Sequence, residues 1–101
     1  MEHEIHFTSS NCRLEGRLHT GQPQAVVITH PHSLYGGNMH NPVVAAIAHG
    51  FQRQGYTTLR FNFRGVEGSQ GRYDEGIGEQ EDVRQAIGYL EQHGYGPVEL
   101  S

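Results

Sequence analysis

The residues best suited to chemistry sit in one segment, His30-Pro31-His32-Ser33-Leu34-Tyr35-Gly36-Gly37-Asn38-Met39-His40. Gly36 and Gly37 allow a backbone to approach a ligand closely. The helix start expected at Asn41-Pro42 adds N–H groups that have no partner within the helix. A loop of this kind can seat an oxyanion or another small anion, with His30, Tyr35, Gly36, Gly37 and His40 as the side chains and backbone able to touch it. Imidazole is also a common zinc ligand, so His30, His32 and His40 could hold a metal if the loop folded back on itself. No cysteine or carboxylate lies at zinc-motif spacing, however, and loop packing and hydrogen bonding are the expected roles instead. We expect no metal and no cofactor.

The elements that must position this loop follow from periodicity. Glu4–Thr8 and Cys12–His19 alternate polar and apolar residues, predicting an antiparallel hairpin. Ala25–Thr29 begins as an unbroken apolar run, the pattern of a strand buried on both faces of a parallel sheet. Asn41 can cap a helix and Pro42 suits its first position. Val44, Ile47, Ala48 and Phe51 then recur at helical spacing, and Gly55 follows, predicting a helix over Pro42–Gln54. Tyr56–Phe63 is rich in β-branched and aromatic residues and predicts a strand. After a glycine-bearing loop from Arg64 to about Asp74, the stripe Ile77, Val83, Ala86, Ile87 and Leu90 predicts a second helix over Gly76–His93. Glu79, Glu81 and Asp82 read as its solvated first turns, complementing the helix dipole, while Tyr73 and Asp74 read as loop-fixing and capping residues. Val98–Ser101 starts a last strand. The succession β, β, β, α, β, α, β predicts an α/β sheet, and such sheets bind ligands at the C-terminal ends of parallel strands, where the histidine loop and the loop opening with Arg64 and Gly65 lie.

The histidine loop with Asn41-Pro42-Val43-Val44, and the stretch Leu59-Arg60-Phe61-Asn62-Phe63-Arg64-Gly65-Val66-Glu67-Gly68-Ser69-Gln70-Gly71-Arg72-Tyr73-Asp74-Glu75-Gly76, resemble small bacterial α/β-hydrolases related to dienelactone hydrolases and esterases. The likeness covers almost the whole chain. It implies a mixed, mostly parallel five-stranded sheet of order 1-2-4-3-5 with strand 2 antiparallel, flanked by two helices. It further implies that the loop after the third strand, usually His-Pro-His-Pro, supplies a backbone N–H to the oxyanion hole, here at His32, Ser33 or Leu34. Ser33 stands where the fourth residue of that motif is usually proline, which removes a rigidifying ring. The turn Arg64-Gly65 is implied to be chiefly structural.

The family's nucleophile sits in a Gly-x-Ser-x-Gly elbow after the fifth strand, followed by an acid and a histidine; Ser101 falls just before that elbow. Gly68-Ser69-Gln70-Gly71 does not replace it, because Glu67 occupies the first glycine position and no helix opens directly behind the serine. Gly65, Gly68 and Gly71 likewise miss the Gly-x-Gly-x-x-Gly spacing of a dinucleotide site.

Composition narrows the classes further. Over 101 residues, 35% hydrophobic, one domain is expected. Seven basic against eleven acidic side chains give a formal charge of −4, which argues against a nucleic-acid partner. The longest apolar run, Val43–Ala48, is far below the roughly 20 residues of a membrane span. Cys12 is the only cysteine and the first residues lack a secretion signal, so a cytoplasmic protein is expected. The expectation for function is an α/β-hydrolase-like chain without a Ser-acid-His triad, non-catalytic alone, serving as an assembly or small-ligand module. It should self-associate through the edge of its last strand, at Val98 and Leu100. The alternatives are the front part of a serine ester hydrolase completed by a longer chain or partner, and a metal- or anion-binding protein using the histidine loop.

Overall fold

A computed structural model describes residues 1–101. The strands are β1 (Glu2–Ser9), β2 (Cys12–His19), β3 (Ala25–Ile28), β4 (Thr57–Phe61) and β5 (Val98–Leu100), and the helices α1 (Pro42–Arg53) and α2 (Ile77–Gln92). A single 3-10 turn, Ser33–Tyr35, interrupts the histidine loop. The strands form one sheet of order β1-β2-β4-β3-β5. β2 is antiparallel to both β1 and β4, while β3 is parallel to both β4 and β5. This is the mixed five-stranded sheet with two helices that the resemblance implied.

Strand alternation decides which helix covers which face. Ala25 and Val27 join Ile5, Phe7, Leu14, Leu18, Leu59 and Phe61 in a core closed by Ala86 and Leu90 of α2. The alternate residues of β3, Val26 and Ile28, pack instead on Val44 and Ala48 of α1. A strand with every residue buried is what a helix on each face produces, and β3 and β4 are both buried throughout. The two-residue turn of the β1–β2 hairpin holds Ser10 and Asn11 at φ 48° and 66°, the positive angles that primed hairpin turns require.

Asn41 caps α1 by accepting a hydrogen bond from Val43 N–H at 2.9 Å, as its residue type predicts. The start of α2 differs from expectation in two ways. Asp74 is not its cap: Gly76 occupies the cap position at φ 88°, and the Glu79 carboxylate accepts from the N–H groups of Asp74 and Gly76, both at 2.9 Å. Nor are Glu79 and Asp82 solvated, since both are buried; only Glu81 of that trio reaches solvent in part, bonded to Arg84 and Gln85. Asp82 faces inward because Arg64 lies beneath the first turns of α2. Gly78 permits that approach, as a Cβ there would collide with the Arg64 guanidinium. β4 also ends two residues early: Asn62 and Phe63 leave the sheet to hold the loops described next.

Candidate functional site

β3 and β4 deliver two loops side by side, and Asn62 ties them together. Its Oδ1 accepts from Met39 N–H in the histidine loop at 2.8 Å, and its Nδ2 donates to Glu15 at 2.7 Å and Glu67 at 3.3 Å. Glu15 also receives Gly68 N–H at 2.8 Å. Ser69 Oγ accepts from Glu15 N–H at 3.0 Å and donates to the Asn62 carbonyl at 2.7 Å. The proton of that hydroxyl and one of its two acceptor positions are thus spent on the backbone, and Ser69 is 6% exposed; it holds the turn.

His30 makes a second tie. Phe63 N–H donates to its Nε2 at 3.1 Å, so the proton sits on Nδ1, which donates to the Pro31 carbonyl at 2.6 Å. Burial holds the imidazole below its ordinary pKa, against the opposing pull of the Pro31 carbonyl. The neutral ring stands edge-on to Phe63, centroids 4.9 Å apart.

His32 lies outside this buried layer. Its Nδ1 accepts from Leu34 N–H at 3.1 Å, leaving Nε2 as the protonated nitrogen that meets the Tyr73 hydroxyl at 3.1 Å. The ring packs between Tyr35 and Tyr73, with centroids 5.0 and 5.1 Å away. Of the three backbone groups proposed for an oxyanion, Leu34 N–H is therefore already occupied. Those of His32 and Ser33 have no hydrogen-bond partner within the chain.

A cleft of about 340 Å³ opens here, walled by His30, Pro31, His32 and Ser33 on one side and by Phe63, Tyr73, Glu75, Gly76 and Glu79 on the other. Not every expected residue joins it. Gly36, Gly37 and Gly65 border a separate depression that shares only Ser33. Gly37 is required for its own loop, where a Cβ would strike the Pro31 carbonyl. Leu34 and Tyr35 point to solvent. His40 sits 4.0 Å from Glu67. Arg64 is committed to Asp82, whose hydrogen bond raises its already high pKa. No three histidine, cysteine or carboxylate side chains gather as a metal-ligand set. Sequence reasoning missed Phe63, Tyr73, Glu75, Gly76 and Glu79 as cleft walls, having read Tyr73 as a loop-fixing residue. Glu79 gave no such signal, because the residue three before it is Gly76, which lacks the capping side chain that marks a capping box in a sequence.

No serine, threonine or cysteine hydroxyl or thiol hydrogen-bonds to a histidine ring anywhere in the chain.

No family model matches the sequence. The uncharacterized protein RP471 of Rickettsia prowazekii is 44% identical over 93 residues, covering 89% of this chain and 39% of that protein. An alpha-beta serine hydrolase homologue from Coxiella burnetii superposes with a TM-score of 0.90 at 36% identity, covering 97% of this chain and 50% of its own. The chain is a partial α/β-hydrolase domain. XC6422 from Xanthomonas campestris, a serine hydrolase without a lid, superposes equally well, at TM-score 0.91 and 30% identity over 98% of this chain and 49% of its own. The α/β-hydrolase domain described here spans half or less of the length of these relatives. It has no helix long and apolar enough to cross a membrane.

Proposed function

We propose that residues 1–101 form the carbonyl-receiving side of an acyl-hydrolase site. In this reading the His32 and Ser33 N–H groups hold the oxygen of an ester or related acyl group, and the cleft takes a substituent. The nucleophile and its base come from outside these residues. The observation that carries the reading is the pair of adjacent, unpartnered N–H groups on the wall of a cleft at the C-terminal end of β3. Donors at such a position stabilise the anion formed as a carbonyl is attacked, and one of them is worth about 10²–10³ in kcat in well-studied enzymes. The likeness to the Coxiella serine hydrolase homologue and to the Xanthomonas serine hydrolase supports the same assignment. The test is incubation of the 101-residue chain with 4-nitrophenyl acetate and with a fluorophosphonate, followed by intact mass. Turnover equal to buffer and an unmodified mass are expected; an acylated or phosphonylated residue within the chain would overturn the reading.

A second reading concerns assembly. β5 pairs with β3 on one side only, and Leu100 is 57% exposed beside half-buried Val98. Open strand edges recruit other strands, and we propose that two copies meet through β5 about a two-fold axis. Light scattering should give twice the chain mass for the native protein and a lower mass for Leu100→Lys; a monomeric native chain would contradict it. The unpaired Cys12 fits a reducing compartment, and on that ground we place the protein in the cytoplasm.

A further inference from the structure

The cleft has a charge character that the carbonyl-receiving reading does not use. Aromatic residues line it at His30, Phe63 and Tyr73, and two carboxyl residues, Glu75 and Glu79, line it from the segment that opens α2. Every basic side chain of the protein other than histidine is an arginine, and none lines the cleft. Two arginines adjoin its walls in sequence: Arg64, next to Phe63, has its guanidinium bonded to Asp82, and Arg72, next to Tyr73, is exposed and is not among the lining residues. Neither cleft histidine adds positive charge in the hydrogen-bonding pattern observed, because His30 Nε2 and His32 Nδ1 both accept N–H groups. Both Glu79 oxygens also accept backbone N–H groups, the role of an ionised carboxylate. Glu75 is exposed, with no side-chain hydrogen-bond or ion-pair partner in the chain.

Aromatic walls with adjacent negative charge attract organic cations and repel anions. At about 340 Å³ the cleft is near the lower end of ligand pockets, room for a small group only. We propose that the cleft selects a cationic substituent, an alkylammonium group, on the ester or acyl compound whose carbonyl meets His32 and Ser33. The inference rests on the carbonyl-receiving reading for the word ester, but the cation preference stands on the cleft walls alone. It excludes carboxylate-bearing acyl compounds as ligands of this site.

Three methyl esters of similar size separate the possibilities: that of trimethylglycine, which is cationic; its carbon isostere methyl 3,3-dimethylbutanoate, which is neutral; and monomethyl malonate, which is anionic. Each is titrated into the isotopically labelled chain while the ring signals of Phe63 and Tyr73 and the amide signals of His32 and Ser33 are followed. The cationic ester is expected to bind about tenfold more tightly than its neutral isostere, with the malonate weakest. Glu75→Gln, at an exposed side chain with no hydrogen bond or ion pair, should shrink that ratio several-fold while leaving the fold intact. Equal affinities for the cationic and neutral esters, a preference for malonate, or no ring shifts with any ester would overturn the cation preference. If the cationic ester moves the rings but no ester moves the His32 and Ser33 amides, the cation site holds and the carbonyl-receiving reading falls. If the neutral and cationic esters both move those amides but bind with equal affinity, the reverse is true.

Discussion

Arg64 and Asp82 bind each other beneath the start of α2, with Nη2 to Oδ1 at 2.8 Å and Nε to Oδ1 and Oδ2 at 3.1 and 3.2 Å. The Arg64 backbone N–H donates to the same carboxylate at 3.0 Å. Asp82 is fully buried and Arg64 nearly so. One carboxylate therefore fixes both the turn after β4 and the helix that carries Gly76 and Glu79 into the cleft wall.

Removing one partner of such a pair leaves a buried charge unmatched, which costs about 3–5 kcal/mol. Asp82→Ala should lower the unfolding free energy obtained from urea titration by an amount in that range, whereas Glu81→Ala, at the exposed Arg84 contact, should cost far less. Similar losses for the two variants would show that the buried pair does not hold the loop.

His30 predicts a pH dependence of stability. Its folded pKa lies below the unfolded value, so as pH falls the unfolded chain takes up the proton first. The stability tied to the neutral ring is complete above the unfolded pKa, about 6.5. It is lost as pH falls from there toward the lower folded value. Denaturation between pH 7.5 and 5.5 should therefore show a decline that is reduced in His30→Gln; parallel curves would contradict the assignment.

Asn62→Ala would leave the buried Met39 N–H without its acceptor. An unmet buried donor costs about 1–3 kcal/mol, and the loss should appear locally, as amide exchange at Met39 at least about tenfold faster than in the native chain. Unchanged exchange there would mean that Asn62 does not tie the two loops.

Ser69→Ala removes a hydroxyl that serves Glu15 N–H and the Asn62 carbonyl. A stability loss of about 1–3 kcal/mol is expected, with the background rate toward 4-nitrophenyl acetate unchanged. A fall in that rate would point to a chemical role for the serine.

The layers of the fold were legible because they depend on local pattern. The unbroken run Ala25–Ile28 identified a strand covered on both faces, and Asn41-Pro42 marked the start of α1. The cleft was only half legible. His30, His32 and Ser33 were found because they are contiguous, but their opposite wall comes from Phe63, Tyr73, Glu75 and Glu79, scattered along the next loop and helix. The acidic start of α2 was misread for a related reason. Glu79 and Asp82 match the charge a helix start favours at its surface, and only the placement of Arg64 and of the Asp74 and Gly76 N–H groups turns them inward. Likewise Leu34 N–H could not be eliminated as an anion donor until His32 Nδ1 was seen to accept it.

The measurement that bears most directly on the carbonyl-receiving site is the amide spectrum of the labelled 101-residue chain during titration with ethyl acetate, a neutral ester too small to need the cleft's charge. Saturable shifts concentrated at His32 and Ser33, with Leu34 moving less because its N–H stays on His32, are the predicted result. Shifts absent from those two amides, while other residues respond or none does, would contradict it.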